Sequence, residues 1–203
     1  MKKLALIAAL LIGATLASAQ AQNRDQTRAV AIFAGGCFWC MEPPFDKVDG
    51  VLATTSGYTG GTKIDPTYEQ VSAGRAGHYE ALQVEYDPSR VSYEKLLDVF
   101  WRNIDPLDAG GQFCDRGPQY RAAIFVVDDA QRTQAEASKA ALEKSGKLPG
   151  RIVTEILPTA KFYPAEAYHQ DYYRKNPTAY TYYRWSCGRD RRLERLWGAS
   201  TTH

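Results

Sequence analysis

Residues 29–35 are almost wholly apolar and stop at Gly35-Gly36, which predicts a buried strand. Residues 51–59 are a second strand candidate, closed by Gly60-Gly61. Between residues 79 and 86 the pattern has a period of two. Ala81, Gln83 and Glu85 alternate with Leu82, Val84 and Tyr86, so a half-buried strand is predicted, ended by Asp87-Pro88. The period then changes. Leu96, Leu97, Phe100 and Trp101 fall on one stripe of a helix capped by Ser92 and running to about Asn103. Residues 120–127 predict another strand, and Asp128 or Asp129 caps an Ala-rich helix to about Lys144. Residues 152–157 give the last strand. A helix opening at Cys37 is expected to stop after a turn, or to kink, at Pro43-Pro44.

The order is β-α-β-β-α-β followed by α-β. It predicts an α+β sandwich with helices on one side of the sheet, a ferredoxin-like α/β plait. Seven tyrosines and His169 crowd residues 163–183. That C-terminal segment is too aromatic to stay in water and is expected to pack back on the body. Beyond Gly188 the chain reads as solvated up to Leu193, with Leu196 and Trp197 anchoring the end. Residues 105–118 hold Gly110, Gly111 and Gly117 and no clear element; long loops of this kind are often functional.

The start of the chain follows a different pattern. Lys2 and Lys3 precede an apolar run from Leu4 to Leu16, then Ala17-Ser18-Ala19 and Ala19-Gln20-Ala21. This predicts a secretory signal peptide, residues 1–19, cut after Ala19 or Ala21. Residues 20–203 are then one exported domain, periplasmic or secreted, with no membrane segment after cleavage. The whole chain has 203 residues, 44% of them hydrophobic and 24% charged, which excludes disorder. Its net charge is +2, and losing both leader lysines takes it to zero. No basic surface argues for nucleic acid.

Four cysteines remain: Cys37, Cys40, Cys114 and Cys187. An exported chain often ties such residues into disulfides. Structural zinc usually shows two close pairs; here there is one, and the three histidines are scattered, so no metal is expected. Cys37 stands where a strand meets a Gly-Gly turn and a helix begins. Unpaired N–H groups there lower a thiol pKa. Phe38 and Trp39 follow at once and offer an apolar surface beside a nucleophile. Spacing alone leaves both a reactive thiol and a structural cysteine open.

Further motifs narrow the choice. Gly35-Gly36-Cys37-Phe38-Trp39, Gly57-Tyr58-Thr59-Gly60-Gly61 and Pro66-Thr67-Tyr68-Glu69 are followed by Gly77-His78-Tyr79-Glu80. Then come Asp115-Arg116-Gly117-Pro118-Gln119-Tyr120-Arg121, Phe162-Tyr163-Pro164 and His169-Gln170-Asp171-Tyr172. From Ala29 to Gly198 the chain closely resembles the A-type peptide methionine sulfoxide reductases. The resemblance implies Cys37 as the nucleophile that attacks the sulfoxide sulfur, leaving a sulfenic acid. It implies Glu80 as a neutral acid for the departing oxygen, with Tyr68 and Tyr120 as phenols that polarise the S–O bond. Phe38 and Trp39 would wall in the S-methyl group, and Asp115 and Tyr180 would complete the pocket. No bound cofactor is implied. The partners would be oxidised proteins and a thioredoxin-like thiol donor, and the chain is expected to act as a monomer.

Two departures put recycling in question. Many relatives have Gly where this chain has Cys40, and a resolving cysteine directly after the Asn-Pro-x-x-Tyr segment. Here Asn176-Pro177-Thr178-Ala179-Tyr180 is followed by Thr181. Cys187 on a mobile tail is the slightly preferred resolving partner of Cys37, and Cys40 the alternative; Cys114 could instead hold Cys187 as a static tie. A different function, thiol–disulfide exchange through Cys37 and Cys40, would leave Glu80, Tyr68 and Tyr120 unexplained.

Overall fold

The computed structural model describes residues 28–198, and the predicted leader lies outside them. In chain order the elements are β1 Ala29–Gly35, α1 Phe38–Asp46, β2 Val51–Thr59, α2 Tyr68–Ser72, β3 Tyr79–Tyr86 and α3 Tyr93–Arg102. Next come a short hairpin, β4 Gly111–Gln112 and β5 Asp115–Arg116, then a 3-10 turn Pro118–Tyr120, β6 Ala122–Val126, α4 Asp129–Lys144 and β7 Glu155–Pro158. The C-terminal part holds β8 Tyr163–Pro164, α5 Tyr172–Lys175, α6 Pro177–Cys187 and α7 Arg189–Trp197.

Six strands form one mixed sheet in the order β7-β6-β1-β3-β2-β8, antiparallel except for the parallel β6–β7 pair. Period two decides which side chain faces which layer. Phe33 of β1 and Leu82 and Val84 of β3 join the helix-side core with Leu96, Leu97 and Phe100 of α3. Phe33 stacks between Phe45 of α1 and Phe100, each ring 5.1 Å away. Ile32, Ala34, Tyr79, Ala81 and Phe125 cover the other face. Among the described residues, no helix is long and apolar enough to cross a membrane.

Local chemistry explains most boundaries. Ser92 Oγ accepts from the Lys95 N–H, and Asp128, rather than Asp129, caps α4 by accepting from the Gln131 N–H at 2.7 Å. Tyr120 sits in the 3-10 turn and the strand starts later, at Ala122; β7 likewise starts at Glu155 rather than 152, and the short β8 follows it as the last strand. Two expectations fail. Helix α1 does not stop after a turn but continues through Pro43 and Pro44 to Asp46. Burial of Phe38, Cys40, Met41, Glu42 and Phe45 outweighs the two missing N–H donors. The stretch after Gly188 is not solvated: Arg189 and Leu193 are both buried.

Candidate active site

Cys37 is the N-cap of α1, just beyond the Gly35-Gly36 turn. Gly36 needs its φ of +80°, and a Cβ there would strike the Gln112 side chain at 2.5 Å. This turn leaves Cys37 buried but 7% exposed, more accessible than Cys40 one helical turn on, at 1%. Glu80, the second residue of β3, lies on the same face as Leu82, which aims it at the first turn of α1. Its Oε2 accepts the Phe38 N–H at 3.2 Å, and the residue is 2% exposed. Burial pushes the Glu80 carboxyl up to about 8; the Phe38 N–H pulls it down, and Asp115 and Cys40 add to the rise. Glu80 is therefore a neutral acid at pH 7, held beside Cys37.

The thiols do not divide their roles as the helix start alone would predict. Burial drives the Cys37 thiol well up, and its hydrogen bond to Cys40 and the nearby Glu80 carboxylate drive it the same way. Cys40 is held down to about 7. The Cys37 hydrogen bond lowers it most, burial opposes, and Arg189 and Arg184 lower it further. Glu80 takes the first N–H of the helix, and the Cys37 side chain makes no capping bond to that end. When the pair loses a proton, the hydrogen bond and the two arginines favour the anion on Cys40 over Cys37.

Around this centre the aromatic residues interlock. Phe38, Tyr58 and Val71 pack together, with Trp39, Tyr68 and Tyr163 against them. Tyr68 opens α2 and is anchored by its N–H, which donates to Glu166 Oε1 at 2.8 Å. Burial raises the phenols of Tyr68, to about 12, and of Tyr120, and the charges of Glu80 and Cys37 act on both. Both are thus neutral donors near those two groups. Asp115, from the β4–β5 hairpin, accepts from Tyr183 Oη at 2.6 Å. Tyr180 touches the site differently. Burial and Cys40 raise its phenol to about 12, and its Oη accepts from Arg184 Nη1.

Several residues here were given no role by the motifs, although His169 and Tyr172 lie in one of them. Tyr172 stacks on Trp39 with ring centroids 3.7 Å apart, and Tyr183 meets Trp39 edge-on. His169 Nδ1 accepts the Trp39 indole N–H at 3.0 Å and fixes that ring. Glu42 accepts from Ser56 Oγ and from the Asp171 N–H, tying α1 to the aromatic segment; burial raises its carboxyl to about 7. The concentration of tyrosines in residues 163–183 was the available signal, but it could not say which ring meets Trp39.

Cys114 and Cys187 are bonded to each other, and Cys37 and Cys40 are free. Asp115 lies within 4.8 Å of both bonded sulfurs, a grouping that resembles a metal site, yet sulfurs joined in a disulfide are not thiolate ligands. Cys187 is thus bonded rather than the free thiol on a mobile tail that the sequence favoured. It closes helix α6 and fastens that helix to the hairpin that carries Asp115.

A buried neutral carboxyl, a thiol pair and two phenols beneath an aromatic wall agree with what comparison finds. The family model for peptide methionine sulfoxide reductase matches residues 29–201. The chain belongs to that family. The peptide methionine sulfoxide reductase MsrA of Halalkalibacterium halodurans is 56% identical over 168 residues, 83% of this chain and 96% of the relative. Among solved structures, methionine sulfoxide reductase A of Corynebacterium diphtheriae superposes with a TM-score of 0.66 at 34% identity, covering 74% of this chain and 76% of its own. The reduced form of Mxr1 from Saccharomyces cerevisiae gives 0.71 at 32%, covering 75% and 88%.

Proposed function

We propose that this member of the family reduces methionine S-sulfoxide, in proteins and as the free or peptide form, through Cys37 and Cys40. The observation that carries the reading is Glu80, a buried carboxyl that is neutral at pH 7 and bonded to the helix turn that starts at Cys37. Thiol–disulfide exchange between Cys37 and Cys40 has no use for such an acid. In the first step the Cys37 sulfur attacks the sulfoxide sulfur while Glu80 protonates the oxygen; Tyr68 and Tyr120 hydrogen-bond that oxygen. The Cys37 proton crosses one hydrogen bond to Cys40 as the attack proceeds. The oxygen then passes from the methionine sulfur to Cys37: a Cys37 S–O bond forms as the methionine S–O bond and the transient S–S bond break, methionine leaves, and Cys37 is left as a sulfenic acid.

In the second step Cys40 attacks the Cys37 sulfenic sulfur. An S–S bond forms, the S–O bond breaks and the oxygen departs as water. This reading replaces the preference for Cys187, because that sulfur is already bonded to Cys114 and Cys40 lies one helical turn away. A dithiol donor of the thioredoxin class then returns two electrons to the Cys37–Cys40 disulfide. In Cys40→Ser, one methionine is expected per enzyme and no turnover with a dithiol donor. Cys187→Ser is expected to keep recycling; a Cys187→Ser variant that stops after one methionine would return the resolving role to the tail.

The pocket also sets stereochemistry. The methyl group must face Phe38 and Trp39 while the oxygen faces Glu80, Tyr68 and Tyr120, and only one configuration at sulfur does both with Cys37 in reach. Chiral chromatography of a sulfoxide dipeptide is expected to show the S epimer consumed and the R epimer left. Equal loss of both would overturn this pocket.

Two wider readings have structural support. The order β6-β1-β3-β2 of the four central strands, with α1 and α3 as crossovers, supports a ferredoxin-like plait onto which the C-terminal segment packs. The leader-like first 19 residues and the Cys114–Cys187 disulfide support an oxidising location, periplasmic or secreted, for a monomeric repair enzyme.

A further inference from the structure

Three arginines flank the site from the C-terminal helices, and they are not equivalent. Arg184 is paired with Asp190, its Nε donating to both carboxylate oxygens at 2.9 and 3.0 Å. Arg192 is paired with Asp105 at 2.6 Å. Arg189 is 1% exposed and forms no ion pair with a carboxylate among the described residues. Its Nη2 donates to the carbonyls of Gly35 at 3.1 Å and Asn103 at 2.6 Å, and rests against Met41 Sδ at 3.2 Å. Its guanidinium lies 4.4 Å from the centre of the Phe113 ring, and its Nε is buried without a partner. An unpaired buried cation is costly, and a stable core alone would favour an apolar side chain at this place.

The surroundings indicate what offsets that cost. Gly35 and Met41 belong to the turn and the helix that hold Cys37 and Cys40, and a Cβ on Gly36 would lie 3.8 Å from Arg189 Nη1. The guanidinium is therefore held against the turn and the helix that carry the two free sulfurs, and its charge reaches Cys40. We propose that Arg189 is a positioning residue of the reductase site, a fixed cation braced beneath the Cys37 turn whose counter-charge is the sulfur anion of the Cys37–Cys40 pair. The inference rests on the two-thiol reading above and gives the C-terminal helices a part in it. Cys187 supplies no electrons here; its bond to Cys114 pins the residue two places before Arg189, so that the charge stays against that turn and helix. In the second step that charge favours Cys40 as the attacking anion while water departs.

The groups facing Cys40 are Cys37 in its own turn, Glu80 on β3, Asp115 on the hairpin, and Tyr180, Tyr183 and Arg184 on α6. Asp115 and Glu80 oppose an anion there, and Arg184 is neutralised by Asp190. Arg189 is thus the cation whose removal the thiol should feel.

In a Cys37→Ser background Cys40 is the sole free thiol, and the serine hydroxyl still offers it a hydrogen bond. The rate of iodoacetamide alkylation against pH then reads its ionisation. Adding Arg189→Met is expected to move the midpoint up by about one pH unit or more, as loss of a close opposite charge does. Arg189→Lys is expected to leave it within a few tenths while lowering the melting temperature. A folded Arg189→Met protein with an unmoved midpoint would overturn the proposal. If that variant does not fold, the Lys variant decides: a midpoint raised as far as one unit with the charge retained overturns it. Alkylation needs no sulfoxide, so this inference can fail while the reductase reading stands. Conversely, a wild-type protein inactive on sulfoxide would sink the reading and leave the titration intact.

Discussion

Cys37→Ser is expected to remove sulfoxide reduction, by on the order of 10⁴-fold or more, with the melting temperature little changed. Serine is close in size and Cys37 carries no structural bond, so the fold loses little. The result is informative because ionisation alone would nominate the other thiol. At pH 7 Cys40 is about half ionised, given a midpoint of about 7, whereas Cys37 is protonated. Position argues the other way. Cys37 is the more exposed sulfur and borders Glu80 and Phe38, while Cys40 is sealed behind the first helical turn. The nucleophile is the thiol that can meet both the substrate and the acid. Release of methionine by Cys37→Ser at the wild-type rate would transfer that role to Cys40.

Glu80→Gln should slow the first step by about 10²–10⁴-fold, the usual contribution of a general acid. The sign of the pH effect follows from the raised carboxyl. Below about 8 Glu80 holds its proton and can give it; above that the neutral fraction falls about tenfold per pH unit. The wild-type single-turnover rate should therefore decline as pH rises through 8, and the Gln variant should lack that descending limb. Rapid-quench measurements from pH 6.5 to 9.5 check both points. An unchanged rate at pH 7, or a limb that survives in Glu80→Gln, would mean that another group protonates the oxygen.

Much of the frame was legible because it rests on local pattern. The alternation along β3 and the stripe on α3 are direct consequences of burial, and Ser92 announced its cap. Pro43 and Pro44 misled because a missing N–H is a local cost, while the burial of Met41 and Phe45 that outweighs it is tertiary. The motifs named Cys37, Glu80, Tyr68 and Tyr120, and the structure gathers all four. The C-terminal part was harder to read. The spacing Arg189, Leu193, Leu196 is that of one helical face, yet a run so rich in arginine reads as solvated until its neighbours are known. No spacing rule could pair Cys114 with Cys187, since 73 residues separate them. Nor could it show that fastening Cys187 leaves the helix-mate Cys40 as the available partner.

The Cys114–Cys187 bond makes a closed covalent loop of the chain between those residues, with β1 to β4 and α1 to α3 on one free arm and α7 on the other. Strand β6, next to β1 in the sheet, lies inside the loop. A single protease cut in the exposed surface near Gly146 opens the ring but releases neither piece. The nicked protein keeps its mass on a non-reducing gel and falls into two fragments only when thiol is added. Damage to one peptide bond in this loop then leaves the Cys37 turn and the helices behind it on a single molecule.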